Sequence, residues 1–210
     1  MRLFKYNIFA FLVLCSFAFV QGAHPIPQND GRTERAKYVS SFIKPGDIGA
    51  EIGVCFGVFA YHVLLQQQPS KLYLIDPWEY GLQADVEKDP TPTKQQHRDR
   101  ECEVVFNYFA PYKNVEIVRL KSEDAVCLFE DSYFDYVYID GEHSYAAVTR
   151  DLVNYLPKIK IGGYLIGDDY GWTGIKPAVQ DFLKAHHGEV QFFDPGRPET
   201  AGQYVIKRLK

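Results

Sequence analysis

Residues 134–141 read Phe-Asp-Tyr-Val-Tyr-Ile-Asp-Gly, and residues 162–169 read Gly-Gly-Tyr-Leu-Ile-Gly-Asp-Asp. Both stretches are apolar, are bounded by turn residues and end in carboxylates, which is typical of buried parallel strands. Ligands of open α/β sheets collect outside the carboxyl ends of such strands. The two stretches therefore place Asp140, Asp168 and Asp169 at one edge of the predicted sheet.

Two interpretations of these carboxylates are open at this point. Clustered carboxylates repel each other, and a bound hard cation such as Mg²⁺ relieves that repulsion. Alternatively, each carboxylate caps a helix or accepts hydrogen bonds from loop amides. A single aspartate would favour capping, whereas three together favour a metal site.

The rest of the chain alternates between strand and helix patterns. Strands are predicted at Ile48–Val54, Lys71–Asp76, Val115–Leu120, Phe134–Asp140, Tyr164–Asp168, Val190–Phe193 and Tyr204–Arg208. Helices are predicted at Thr33–Ile43, Phe59–Gln67, Gln95–Phe109, Ala125–Phe129, Ala146–Leu156 and Lys176–His186. This order predicts an α/β fold with a Rossmann-like, doubly wound, mostly parallel sheet. Residues 194–202 hold no helix, so we expect one antiparallel strand near the edge.

The N-terminal segment differs from the rest of the chain. Arg2 and Lys5 precede an apolar stretch at residues 8–20, and small residues follow it, as in a secretory signal peptide. We predict a signal peptide or an N-terminal anchor at residues 1–23, a linker at 24–35 and a catalytic-type domain at 36–210. The protein would then be exported (periplasmic or secreted), or associated with a membrane through residues 8–20.

Length and charge narrow the class of protein. The chain has 210 residues, enough for one α/β domain, and a formal net charge of −4 with both signs mixed along it. Nucleic-acid binding needs a basic stripe, so we expect no nucleic-acid partner. Cleavage of the leader would leave Cys55, Cys102 and Cys127, and an odd number at scattered spacing does not indicate a disulfide framework.

A glycine-containing loop follows the first predicted strand, in the sequence Glu51-Ile-Gly53-Val-Cys-Phe-Gly57-Val-Phe. Gly53 and Gly57 permit close backbone approach to a ligand, and the following helix N-terminus supplies N–H groups. The spacing is not that of the dinucleotide fingerprint, which argues against an NAD enzyme. A tight turn without a ligand explains the two glycines equally well.

The next two strand ends also carry polar residues. Asp76 follows the glycine loop at about the distance expected for an acid that binds both ribose hydroxyls. Trp78 either covers an adenine face or is an ordinary core aromatic. Ser122 and Glu123 either reach the base edge or cap the following helix.

Five motifs in this order resemble a class I S-adenosylmethionine-dependent methyltransferase. They are Glu51-x-Gly53-x-x-x-Gly57, Asp76-Pro-Trp78, Ser122-Glu-Asp-Ala, Tyr138-Ile-Asp-Gly-Glu-His-Ser-Tyr, and Gly162-Gly-Tyr-Leu-Ile-Gly-Asp-Asp-Tyr. The likeness covers about residues 38–208 and is greatest for the branch similar to macrolide and aminocoumarin sugar O-methyltransferases. Catechol O-methyltransferases are more distantly similar.

The resemblance implies a role for each motif. Glu51 and the Gly53–Gly57 loop would hold the methionine end of S-adenosyl-L-methionine. Asp76 would bind its ribose, and Ser122 and Glu123 its adenine.

The strand-end acids match the metal positions of the metal-dependent branch. Asp140, Asp168 and Asp169 would hold Mg²⁺ or a similar divalent cation, which would lower the pKa of an acceptor hydroxyl. His143 is the candidate general base, because its ordinary pKa suits proton removal near neutrality. A loop histidine that braces Asp140 is the alternative.

The resemblance and the residues together predict divalent-metal-assisted O-methylation of a small hydroxylated acceptor. Tyr145, Tyr170 and Trp172 are candidates for the acceptor pocket. The polar segment at residues 79–94 is either a lid or a surface insertion. The alternative function is a non-catalytic exported ligand-binding protein on a methyltransferase-like fold, which the leader favours because the cofactor is made in the cytosol.

Overall fold

The computed structural model describes residues 32–81, 94–193 and 202–210. The strands are β1 (Ile48–Ile52), β2 (Lys71–Ile75), β3 (Val115–Val118), β4 (Phe134–Ile139), β5 (Ile159–Gly167), β6 (Val190–Phe193) and β7 (Tyr204–Arg208). The helices are α1 (Arg32–Val39), α2 (Val58–Gln67), α3 (Lys94–Phe109), α4 (Ser122–Ala125), α5 (Tyr145–Tyr155) and α6 (Ile175–Ala185). Short 3₁₀ turns follow α4 and α5 at Val126–Leu128 and Leu156–Lys158.

The strands form one sheet in the order β3-β2-β1-β4-β5-β7-β6. The first five strands of this order pair in parallel, whereas β7 runs antiparallel to both β5 and β6. The predicted α/β fold, mostly parallel with one antiparallel strand near the edge, is confirmed. Strand order reverses between β1 and β4, and this reversal opens a crevice at the carboxyl ends of the strands.

Helices cover both faces of the sheet. The two-residue period of β4 sends Val137 and Ile139 to the face covered by α5 and α6, and Tyr136 and Tyr138 to the face covered by α1, α2 and α3. A doubly wound sheet requires strands that are apolar on both sides, which explains their near-continuous hydrophobic sequences.

Helices α5 and α6 follow directly from local sequence. Ser144 caps α5, since its side chain accepts a hydrogen bond from the Ala147 N–H at 3.2 Å. The buried residues of α6 follow helical spacing and are Ile175, Ala178, Val179 and Phe182. Both helices begin within one residue of their predicted starts.

Two elements begin more than one residue away from their predicted starts. Strand β5 begins at Ile159 rather than Tyr164, because the Gly162–Gly163 pair is a bulge within the strand and not a turn before it. Gly162 has a φ of 87°, and a side chain on Gly163 would lie 2.5 Å from the Asp135 carbonyl oxygen. Helix α4 is a single turn at Ser122–Ala125, whereas the predicted helix began at Ala125.

The N-terminal predictions fall mostly on residues 1–31, which lie outside the described residues. Residues 32–35, at the end of the predicted linker, form the first turn of α1, which begins one residue before the helix predicted from Thr33. Within the described part of the chain, no helix is both long and apolar enough to cross a membrane.

Candidate functional site

Strand register places the predicted site residues side by side. Ile52 of β1 pairs with Ile75 of β2 and with Ile139 of β4, and Ile139 pairs with Gly167 of β5. The next residue of each strand therefore lies at the same level of the sheet edge. These residues are Gly53, Asp76, Asp140 and Asp168.

A cavity of about 290 Å³ opens at this edge, on both sides of β1. Of the residues predicted from sequence, those that line it are Gly53, Asp76, Ser122, Glu123 and Asp140. The other predicted residues do not line the cavity. His143, Asp168 and Asp169 form, together with Asp140, a group next to the cavity that we call the acid cluster. Glu51, Gly57 and Trp78 lie behind the cavity wall.

Gly53 brings β1 and β4 into close contact at the cavity floor. Its φ is 85°, in the left-handed region that favours glycine. A β-carbon at this position would lie 2.1 Å from the carbonyl oxygen of Asp140. Only glycine therefore fits, and the loop can approach a ligand with its backbone alone.

Asp76 organises the glycine loop from the end of β2. One carboxylate oxygen accepts hydrogen bonds from the N–H groups of Val54 and Cys55 at 2.9 and 3.0 Å. The other oxygen accepts from the N–H of Trp78 at 2.7 Å. A carboxylate has about four acceptor positions, so capacity for a further donor from a ligand remains.

Trp78 is a core residue and does not cover the cavity. The side chain is fully buried, and its indole N–H donates to the carbonyl oxygen of Cys55 at 2.9 Å. Its backbone has a φ of 44°, in the left-handed region. Of the two alternatives for Trp78, this burial favours the core aromatic, and the hydrogen bond to Cys55 makes it a support for the glycine loop.

Glu51 and Gly57 lie on either side of that loop. Glu51 is buried within β1 and is not a wall residue of the cavity. Gly57 precedes α2 in a left-handed conformation with φ 73°, where its amide donates to the Val54 carbonyl oxygen at 2.8 Å. Both residues shape the loop, and their predicted contact with the methionine end of a cofactor stays a prediction.

A buried acid at the far end of the cavity was not predicted. Asp151 of α5 accepts a hydrogen bond from the Ser122 hydroxyl at 2.5 Å, and the Tyr155 hydroxyl donates to the Ser122 carbonyl oxygen at 2.9 Å. Burial raises the pKa of Asp151 to about 6, and the Ser122 hydrogen bond opposes that rise. The sequence signal was an acid on the apolar face of α5, between Val148 and Leu152.

Glu123 lies beside this buried pair at the cavity wall. Its carboxylate is 3.3 Å from the Arg150 guanidinium, and both side chains are partly exposed. The two charges offer an acceptor and donors to a ligand at this end of the cavity.

Three side chains that could hold a metal ion, one of them Asp140, converge beside the cavity. Within the described residues, one ligand atom from each of Asp140, His143 and Asp169 lies within 4.8 Å of the others. The His143 Nε2 atom is 3.6 Å from an oxygen of each carboxylate. The nearby Asp140 carboxylate raises the pKa of His143, and burial opposes the rise.

Asp168 belongs to the same acid cluster but faces another partner. Its side chain is only 1% exposed, and one oxygen pairs with the guanidinium of Arg35 on α1. Its Oδ1 atom has no hydrogen-bond partner in the part of the chain that the structure describes. Burial, followed by repulsion from Asp140, raises the pKa of Asp168, whereas Arg35 lowers it. The structure thus joins His143, rather than Asp168, to Asp140 and Asp169.

Residues 50–170 match the family described as "Methyltransferase domain". This match covers more than half of the chain. The chain belongs to the methyltransferase domain family. No curated protein matches the sequence.

Solved structures share the fold of this methyltransferase domain at low sequence identity. The O-methyltransferase NovP is 19% identical, with a TM-score of 0.53 over 86% of this chain and 78% of NovP. A Streptococcus mutans protein in complex with SAH is 15% identical, with a TM-score of 0.53 over 86% of this chain and 99% of its own. An rRNA methylase from Streptococcus thermophilus is 10% identical, with a TM-score of 0.53 over 83% and 94%.

The aromatic residues predicted for an acceptor pocket of the methyltransferase domain have different surroundings. Trp172 is half-exposed, and its ring centroid lies 4.8 Å from that of His143. Tyr145 is also exposed, and its hydroxyl donates to Asp181 at 3.1 Å. Tyr170 packs towards the core against Phe192. Of the three, Trp172 is the one in ring contact with the acid cluster.

The predicted lid of the methyltransferase domain lies mainly at residues 82–93, outside the described residues. Its two ends are joined by Gln95, whose side chain accepts from the Tyr80 N–H at 2.9 Å and donates to the Trp78 carbonyl oxygen at 3.0 Å. Tyr80 and Gly81 line the cavity. The lid function stays a prediction.

Proposed function

We propose that this chain is an S-adenosyl-L-methionine-dependent methyltransferase that transfers a methyl group to a hydroxyl oxygen of a small acceptor with the help of a divalent cation. One observation carries the proposal. Asp140 is both a wall residue of the cavity and a member of the Asp140–His143–Asp169 group. A methyl donor in the cavity and an acceptor hydroxyl at the acid cluster would therefore meet beside Asp140.

The cavity has groups suited to each part of the donor. Asp76 would accept hydrogen bonds from the ribose hydroxyls, while its bonds to loop amides hold it in place. Ser122, Glu123 and Asp151 would contact the adenine edge at the other end. The backbone at Gly53 would lie against the methionine portion, where a side chain could not fit.

The acid cluster fits a divalent cation on two grounds. Asp140 and Asp169 supply the hard oxygen ligands that Mg²⁺ prefers, and Mg²⁺ commonly uses only one or two carboxylates. The Asp168 Oδ1 atom is buried without a hydrogen-bond partner among the described residues, so the cluster keeps an acceptor that those residues leave unsatisfied. When bound there, the cation would lower the pKa of the acceptor hydroxyl.

His143 would accept the proton of that hydroxyl on Nε2, and the carboxylates of Asp140 and Asp169 would stabilise the imidazolium. The acceptor oxygen would form the new bond to the methyl carbon as the carbon–sulfur bond breaks, and the sulfur would keep the electron pair. Alignment of the two reactants supplies most of the rate in such a transfer. Trp172, next to His143, would help to position the acceptor.

Donor binding is tested by calorimetric titration with S-adenosylhomocysteine. Asp76→Ala should weaken binding about 100-fold, the loss expected when about 3 kcal/mol of charge-assisted hydrogen bonds disappears. Asp135→Ala is the matched control, because Asp135 also accepts from a backbone N–H, that of Ile48 at 2.8 Å, but at the opposite end of the sheet. Wild-type protein that does not bind S-adenosylhomocysteine would refute the proposal, and binding without methyl transfer would favour the non-catalytic alternative.

A further inference from the structure

Arg35 reaches the acid cluster from a part of the chain that the family match does not include. Helix α1 is fixed on α2, because Ala36 and Val39 are fully buried and Thr33 shares a hydrogen bond of 3.1 Å with His62. This packing aims the Arg35 side chain inward, to the end of β5. The ion pair with Asp168 thus joins residues that are far apart in sequence and is held by the fold on both sides.

The charges of the cluster do not balance without Arg35. Asp140, Asp168 and Asp169 carry three negative charges, and the Arg35 guanidinium cancels one of them at Asp168. Two carboxylates then remain for a divalent cation, and their charge matches that of the ion.

We propose that Arg35 is a positioning residue that withholds Asp168 from the bound cation, so that Asp140 and Asp169 alone hold the ion and its remaining coordination positions stay open for acceptor oxygens. This inference rests on the proposed function, since it assumes a cation at the acid cluster. It gives helix α1, whose first turn overlaps the predicted linker at residues 24–35, a role in the site.

The proposal has a directional consequence. If the Arg35–Asp168 ion pair served only to hold the structure together, its removal would weaken cation binding. Removal of Arg35 should instead tighten cation binding, because Asp168 becomes a third carboxylate that is free to bind the ion. Removal of Asp168 alone should weaken cation binding, because Arg35 then remains as an unpaired positive charge beside the ion.

The test is titration of the full chain with Mn²⁺ alone, with free Mn²⁺ measured by electron paramagnetic resonance. Arg35→Met should bind Mn²⁺ at least about tenfold more tightly than wild type, from the loss of one nearby positive charge. Arg35→Lys keeps the charge and should bind like wild type. Lys37→Met is the matched control, because it removes a positive charge from the same helix at an exposed position paired with Glu34.

The double variant Arg35→Met/Asp168→Asn decides the role of Asp168. It restores the net charge of the wild-type cluster, so it should bind Mn²⁺ about as tightly as wild type. Binding at least about tenfold weaker than wild type would show that Asp168 is itself a ligand and would overturn the proposal. Circular dichroism of each variant establishes that α1 and the sheet are intact.

The same samples are titrated with S-adenosylhomocysteine, which separates failure of this inference from failure of the proposed function. Unchanged or weaker Mn²⁺ binding by Arg35→Met, or no Mn²⁺ binding by any variant, overturns the inference while donor binding still supports the methyltransferase. Absence of S-adenosylhomocysteine binding by wild type refutes the proposed function instead. Tighter Mn²⁺ binding by Arg35→Met together with a wild-type-like double variant supports the inference.

Discussion

The carboxylates at the two ends of the site, the cavity and the acid cluster, have different surroundings. At the cavity, Asp76 accepts three backbone hydrogen bonds and Asp151 accepts one from the Ser122 hydroxyl, so neutral donors meet each carboxylate. At the acid cluster, the His143 Nε2 atom is 3.6 Å from an oxygen of Asp140 and 3.6 Å from an oxygen of Asp169. The carboxylates of the cavity are held by neutral donors before a ligand binds, whereas the acid cluster carries repulsion that a cation or a proton relieves.

This difference indicates how the site would work. A cavity whose polar groups are already held by the backbone needs little rearrangement to bind a donor, which lowers the cost of binding. An acid cluster with unbalanced charge favours a cation and stabilises positive charge that develops on His143. The two ends meet at Gly53, where β1 contacts the Asp140 backbone.

The largest effect on stability is expected when a side chain at Gly53 separates the cavity from the acid cluster. In Gly53→Ala, the new methyl group would lie 2.1 Å from the Asp140 carbonyl oxygen, and the residue would also have to hold a φ of 85°. We expect a loss of about 4 kcal/mol in the free energy of unfolding, from the clash and the backbone strain together. Urea denaturation measures the loss, and S-adenosylhomocysteine binding should disappear with it.

Gly171→Ala is the control for Gly53→Ala. Gly171 follows the acid cluster, has no positive φ, and would place a methyl group with no atom within 4 Å. Its free energy of unfolding should change by less than about 0.5 kcal/mol. Equal urea midpoints for Gly53→Ala and wild type would contradict the close contact between the two ends.

The second prediction concerns pH and the buried acid of the cavity. Burial raises the pKa of Asp151 to about 6 in the folded protein, above its ordinary value. A raised folded pKa means that the contribution of Asp151 to stability is full below the unfolded pKa and is lost as pH rises through about 6. Asp151→Asn stays neutral and keeps an acceptor for Ser122, so the variant should gain stability relative to wild type as pH rises.

Urea denaturation at about pH 4.5 and about pH 8 measures this change. The difference in unfolding free energy between Asp151→Asn and wild type should grow by about 2 kcal/mol between the two conditions. Asp131→Asn is the control, because Asp131 is exposed and paired with Lys158. A difference that is the same at both pH values would show that Asp151 is not held in a raised-pKa environment.

The sequence predicted the parts of this molecule that depend on local pattern. The apolar runs of β4 and β5 ended in acids, and strand register then brought Asp140 and Asp168 to one edge, as parallel pairing requires. Gly53 and Asp76 were found from their positions after β1 and β2. The fold and five of the residues that line the cavity therefore followed from the strand ends and the residues directly after them.

The remaining parts depend on contacts between distant segments. Arg35 lay where the predicted linker and the predicted helix overlap, with no role in the site, and only the packing of α1 on α2 directs it to Asp168. The sequence left two alternatives open for Trp78, and the buried one depends on a hydrogen bond from its indole N–H to the distant Cys55 carbonyl oxygen. Asp151 was overlooked because an acid within an amphipathic helix is usually exposed.

The smallest expected effect tests the repulsion at the acid cluster. Asp169 has a φ of 53°, which asparagine tolerates well, so Asp169→Asn removes a charge without backbone strain. Burial and then repulsion from Asp140 raise the pKa of Asp169. With EDTA at about pH 8, the variant should be more stable than wild type by about 1 kcal/mol, the energy of two unit charges near 5 Å in a water-like surrounding.

Saturating Mn²⁺ should reverse that order, because the cation stabilises wild type through Asp140 and Asp169 and the variant through Asp140 alone. Thermal unfolding in EDTA and in Mn²⁺ provides both comparisons on the same two proteins. Asp169→Ala separates charge from conformation, since alanine removes the same charge but adds the strain of a left-handed residue. A variant that is less stable than wild type in EDTA would mean that the acid cluster is already balanced by groups such as Arg35 and His143, and the contrast between the two ends of the site would then be one of geometry alone.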